Sequence, residues 1–107
     1  SAPRSLIEAY KHEFDIEIIH AWGMTEMSPL GTLNRPFSKM DDWPEEKRWA
    51  ALSRVGRPAA CVEMKIVDET ERELPWDGQT AGELLVRGPA VLRAYYNNPD
   101  ASDRFTA

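Results

Sequence analysis

The sequence has little cysteine, no excess of basic charge and no long apolar run, and each shortage excludes a class of protein. Cys61 is the single cysteine, so no internal disulfide can form, and no Cys/His spacing offers a zinc site. A reducing compartment suits such a chain. Lys and Arg number 13 against 18 Asp and Glu, a formal net charge of -5, which removes the general phosphate attraction that nucleic-acid binding needs. No nucleic-acid partner is expected. No apolar run approaches the ~18 residues of a membrane span, and the N-terminal SAPRSLIEAY lacks the basic start and apolar middle of a signal peptide. The chain reads as cytoplasmic and without a transmembrane segment, with peripheral docking at a membrane left open.

What is present is an ordinary globular balance: 107 residues, 42% hydrophobic and 29% charged. A chain of this length, folding alone, buries roughly two thirds of its unfolded surface. There is no internal repeat and no low-complexity linker. The start at Ser1 without Met and the stop in ASDRFTA read as an excerpt of a larger protein.

Periodicity divides the chain into three parts: 1–30, the end of an α/β subdomain; 31–55, an excursion with one short helix; and 56–107, a β-rich part. From Ser5, the run SLIEAYKHEF sets Leu6, Ile7, Tyr10 and Phe14 on one helical face, with Ser5 and Glu8 in capping-box register. Ile16 to His20 is almost wholly apolar, the pattern of a strand buried on both faces. The 31–55 stretch carries the helical signal DDWPEEKRWAAL, with Asp42 and Glu45 spaced as a cap and Trp49 and Leu52 on one face. Cys61 to Asp68 alternates, Val62, Met64 and Ile66 against Glu63 and Lys65, which predicts an antiparallel strand. GELLVRG predicts its partner across a long connection holding Pro75 and Asp77-Gly78. AVLRAYY is a candidate third strand, and Asn98-Pro99 opens a last helix.

The apolar strand signal runs directly into HAWGMTEMSP, residues His20 to Pro29. In open α/β sheets the crevice outside the carboxyl ends of strands is where ligands bind. The segment supplies there a flat ring, a glycine, a neutral donor and an anion.

Trp22-Gly23-Met24-Thr25-Glu26 resembles the aromatic-Gly-x-Thr-Glu motif of the adenylate-forming (AMP-binding) superfamily: acyl-CoA synthetases, adenylation domains and luciferases. The order continues through SAP before a helix, VGRPAACVEMKIVD, and LPWDGQTAGELLVRGPAVLRAYYNNPDAS, similar to the family's Gly-Glu-Leu, Arg-Gly-Pro and Tyr-Tyr-x-x-Pro pattern. All but 34–53 is covered. WGMTEMSPLGT and the excursion look most like fatty-acyl-CoA synthetases of medium or long chain specificity.

The resemblance implies a part of the large N-terminal domain of an ATP-dependent ligase, which joins a fatty acid to AMP and passes the acyl group to coenzyme A. It assigns Trp22 to the adenine, Gly23 and Met24 to the nucleotide-binding loop, Thr25 to the α-phosphate and Glu26 to Mg2+, with Thr25 and Glu26 the catalytic pair. It places Ala2 and Pro3 beside the nucleotide, and His20, Ala21, Met27 and Ser28 along the acyl path. These residue types suit the chemistry: a carboxylate attacking a triphosphate meets concentrated negative charge, which a cation and neutral donors must offset. The family's Gly/Ser/Thr-rich phosphate loop, ribose-binding aspartate and C-terminal lysine have no match here, so the 107 residues alone are expected to lack turnover. A cut sheet is expected to self-associate or swap elements.

Blander readings stand beside these. His20 fits a strand-end histidine satisfied by a neighbour, since no Ser or Cys partner is evident. Arg57 and Arg87 read as solvated residues flanking turns, Trp43, Trp49 and Trp76 as loop or interface anchors, and Pro89 and Tyr95 to Pro99 as structural. Two rivals remain open: an adenylation domain loading an amino or aryl acid onto a carrier protein, and an interaction module without chemistry.

Overall fold

Pro3 sets the first helix. Its φ of -69° is the value its ring imposes, and its carbonyl accepts from the N–H groups of Leu6 at 3.1 Å and Ile7 at 3.3 Å, so α1 runs Arg4–Phe14. The capping box expected at Ser5 and Glu8 does not form. The helix already includes Ser5, and the Glu8 carboxylate accepts instead from Arg4 Nε, one turn earlier. Asp15, left-handed at φ 53°, ends α1 with its N–H on the Lys11 carbonyl at 3.1 Å. Ile7 alone of the expected apolar face is buried; Leu6, Tyr10 and Phe14 stay exposed.

This computed structural model describes residues 2–105, so Ser1 of the Ser-Ala-Pro motif lies outside the described residues. The chain forms two compact units, Ser1–Met24 with Leu30–Ala60, and Thr25–Pro29 with Cys61–Ala107.

In the first unit, β1 (His20–Gly23), β2 (Leu30–Asn34) and β3 (Arg57–Pro58) form an antiparallel sheet in that order. The buried strand expected over 16–20 is thereby corrected. Residues 15–19 carry no regular structure, and Ile16 and Ile19 are exposed. A strand needs a ladder partner, and pairing begins only at His20, which faces Asn34. The excursion is corrected too, because its first residues lie in β2. The sequence LGTLN hides this strand because Thr32 and Asn34 are polar yet buried. Thr32 donates to the Val55 carbonyl, and the Asn34 amide donates to the carbonyls of Ala51 and Arg54, each at 2.7 Å.

The expected second helix, α2, runs Glu45–Leu52 and buries Trp49 and Leu52. Pro44 occupies its N-cap without a side-chain bond, so the Asp42/Glu45 cap does not form; Glu45 instead accepts from Trp49 Nε1 at 3.1 Å. Ile7, Met40, Trp49 and Leu52 make the core, with Ala2, Ile18, Phe37 and Trp43 packed on it. Arg57 lies 4.3 Å above the Phe37 ring.

In the second unit, β4 (Glu63–Val67) and β5 (Glu83–Arg87) pair antiparallel from Glu63↔Arg87 to Val67↔Glu83, as the alternation predicts. Arg87 Nε donates to Glu63 at 3.1 Å. Gly82 and Gly88 close on this hairpin: a Cβ on Gly82 would lie 2.5 Å from the Val67 carbonyl oxygen. The third strand expected at AVLRAYY is absent. Residues 89–98 form turns and bends, and the helix expected at Pro99 is a 3-10 helix, Pro99–Arg104.

Candidate functional site

The candidate segment is the connection between β1 and β2, which pair antiparallel. Within the first unit, Trp22 is half-buried on β1 opposite Thr32, Ala21 is exposed opposite Leu33, and Gly23 faces Leu30. The register shifts between Trp22 and Gly23, leaving Gly31 as an extra residue on β2. Such a bulge re-aims side chains and is over-represented beside active sites. Met24, just after the strand, is 47% exposed. Ala2 is half-buried against the core and Pro3 is the N-cap of α1, so both have structural work of their own.

His20 corrects the expectation that a neighbour satisfies it. It is buried, and neither ring nitrogen has a hydrogen-bond partner among the described residues. Buried polar atoms are rarely left so, and each that is calls for an explanation.

In the second unit, Thr25–Met27 form a 3-10 turn closed by the Ser28 N–H on the Thr25 carbonyl at 3.2 Å. Thr25 and Ser28 are exposed, Glu26 is half-buried and Met27 is buried. The Tyr95 hydroxyl donates to Glu26 Oε1, and the Leu92 N–H donates to the Glu26 carbonyl at 2.8 Å. That hydroxyl holds the Glu26 carboxyl below its ordinary titration range, with help from its own backbone N–H and from the charge of Arg104. The same contact raises the Tyr95 phenol. Read from the sequence as structural, Tyr95 is thus a partner of the candidate metal ligand. It lies 69 positions from Glu26, and no spacing rule links the two.

Among the described residues no group of three or more His, Cys, Asp or Glu could hold a metal. A half-buried carboxylate such as Glu26 fits the way Mg2+ is held, through one or two carboxylates, waters and substrate phosphates.

The described chain is α/β, with two helices and small antiparallel sheets. It superposes on the amide bond synthetase McbA from Marinactinospora thermotolerans with a TM-score of 0.76, at 25% identity, covering 99% of this chain and 19% of that one. The chain belongs to the AMP-binding enzyme family, whose sequence model matches residues 1–96. It is 44% identical to a 3-methylmercaptopropionyl-CoA ligase of Ruegeria pomeroyi over 94% of this chain, and 37% identical to a medium-chain-fatty-acid–CoA ligase of Ectopseudomonas oleovorans over 95%. It spans 19% of the length of each. No helix among the described residues is long and apolar enough to cross a membrane.

Proposed function

We propose that the protein carrying this chain is an ATP-dependent acid-thiol ligase that activates a fatty acid as its acyl-adenylate and transfers the acyl group to coenzyme A. The observation that carries the reading is Glu26, an ionised carboxylate beside the exposed hydroxyl of Thr25, in a chain whose relatives are named as CoA ligases. One relative is named for a fatty acid and another for 3-methylmercaptopropionate, both carboxylates on aliphatic chains.

In this reading Trp22 stacks on the adenine, and Gly23 and Met24 carry the backbone past the nucleotide, with Ala2 and Pro3 along its border. Thr25 donates its hydroxyl to the α-phosphate without adding charge, and Glu26 anchors Mg2+. When bound, Mg2+ neutralises charge on the phosphate oxygens. The acyl path takes His20, Ala21, Met27 and Ser28, of which His20 and Met27 are buried. The 107 residues by themselves are proposed to be inactive.

The test is pyrophosphate release by the native gene product with ATP, Mg2+ and acids from acetate to long-chain, including 3-methylmercaptopropionate, amino and aryl acids. Release with fatty acids, abolished in Glu26→Ala, supports the reading. Release with amino or aryl acids alone moves it to a carrier-protein adenylation domain. Silence from every acid in a folded protein removes the ligase reading.

A further inference from the structure

One short segment, residues 92–95, holds both the main chain and the side chain of Glu26. Leu92 takes the carbonyl and Tyr95 takes Oε1 of the carboxylate. The Tyr95 ring packs against its own neighbours. It is half-buried, meets Phe105 edge-on with ring centroids 5.4 Å apart, and walls a cleft of about 280 Å³ shared with Asn97, Asn98 and Pro99. The ring thus has packing partners of its own, and its hydroxyl donates to Glu26 Oε1.

A free glutamate loses rotamer entropy on taking up a cation, and a partner that fixes one carboxylate oxygen beforehand lowers that cost. Partners of this kind, which touch a ligand residue but not the ligand, typically change metal affinity when removed. Fixing through Oε1 leaves Oε2 as the oxygen open to a cation.

We infer that Tyr95 is a positioning residue for the nucleotide-bound cation: its hydroxyl fixes Glu26 in the rotamer that presents the carboxylate to Mg2+–ATP. The inference rests on Glu26 as the metal anchor. It adds a residue to the site that neither the strand-end motif nor its spacing marks.

The experiment is equilibrium binding of ATP to the native gene product by calorimetry, with and without Mg2+, for Tyr95→Phe, Glu26→Gln and the double variant. Thermal unfolding of each accompanies it. Tyr95→Phe keeps the ring and its contact with Phe105 and removes only the hydroxyl. It is expected to weaken Mg2+-dependent ATP binding by about tenfold, to leave binding without Mg2+ unchanged, and to add no further loss in the Glu26→Gln background. Incorporation of 4-aminophenylalanine at position 95 returns an N–H donor to the same place and is expected to restore the affinity. That replacement also keeps the test decisive if Tyr95→Phe unfolds.

Loss in Glu26→Gln with none in Tyr95→Phe overturns this inference alone, as does an equal loss from Tyr95→Phe in both backgrounds. A Glu26→Gln variant that keeps its full Mg2+ dependence overturns the reading of Glu26 and this inference with it.

Discussion

Gly56 sits directly against the main chain of Leu33: a Cβ on the glycine would fall 2.2 Å from the Leu33 carbonyl carbon and the same distance from its oxygen. Its φ of +93° is one that side-chain-bearing residues rarely adopt. Both facts follow from the turn that brings β3 back beside β2, where Arg57 pairs with Leu33. Backbone cannot yield as a flexible side chain can. Gly56→Ala is therefore expected to cost about 3 kcal/mol or more, from strain and overlap together. Thermal unfolding checks it, and an unchanged midpoint would show that the turn relaxes freely.

Asp77 supplies a prediction in pH. One of its oxygens accepts from the backbone N–H groups of Gln79 at 2.8 Å and Thr80 at 2.7 Å, and the other accepts from the Thr80 hydroxyl at 2.6 Å. The hydroxyl bond leads in lowering this carboxyl from 3.8 to about 2. A lowered carboxyl stabilises the fold fully above its unfolded value and loses that contribution as pH falls through its folded value. The 77–80 turn is thus expected to hold down to about pH 3 and open toward pH 2. A carbon-13 titration of the Asp77 carboxyl reads the midpoint; one near 3.8 would mean the three bonds do not persist in solution.

The legible parts of the fold were those whose pattern is local. Trp49 and Leu52 share a helical face after Pro44, and Met64 and Ile66 alternate with Glu63 and Lys65, so α2 and β4 show in the sequence. β2 did not, because Thr32 and Asn34 are buried through bonds to Val55, Ala51 and Arg54 far along the chain. Ile16 to Ile19 failed in the opposite sense, since an apolar run says nothing of whether a neighbour is there to pair. At the candidate site the contiguous Trp22 to Glu26 was readable as a motif. Tyr95 was not, since its contact with Glu26 depends on where the 92–95 segment turns.

The open apolar side chains carry a third prediction. Phe14 at the end of α1, and Ile16 and Ile19 in the irregular stretch after it, are 62%, 50% and 40% exposed. Exposed apolar side chains clustered in one segment invite association with another chain. A preparation of these 107 residues alone is expected to self-associate, and Ile16→Ser with Ile19→Ser to shift it toward the monomer. A monodisperse 12.2 kDa species in light scattering would overturn this.

Trp22 provides the sharpest test of the nucleotide reading, because its two candidate roles separate by substitution. As a base platform it needs only an aromatic face, so Trp22→Tyr should bind ATP nearly as well as the parent, while Trp22→Ala loses about tenfold. As a packing residue it needs volume: half-buried opposite Thr32 on β1, it would then lose stability in both variants in proportion to the area removed, with ATP binding following stability. Calorimetric ATP affinity set against the unfolding midpoint distinguishes the two. An affinity that falls in Trp22→Ala at unchanged stability, and returns in Trp22→Tyr, assigns the ring to the base; affinity that tracks stability through both variants assigns it to the sheet.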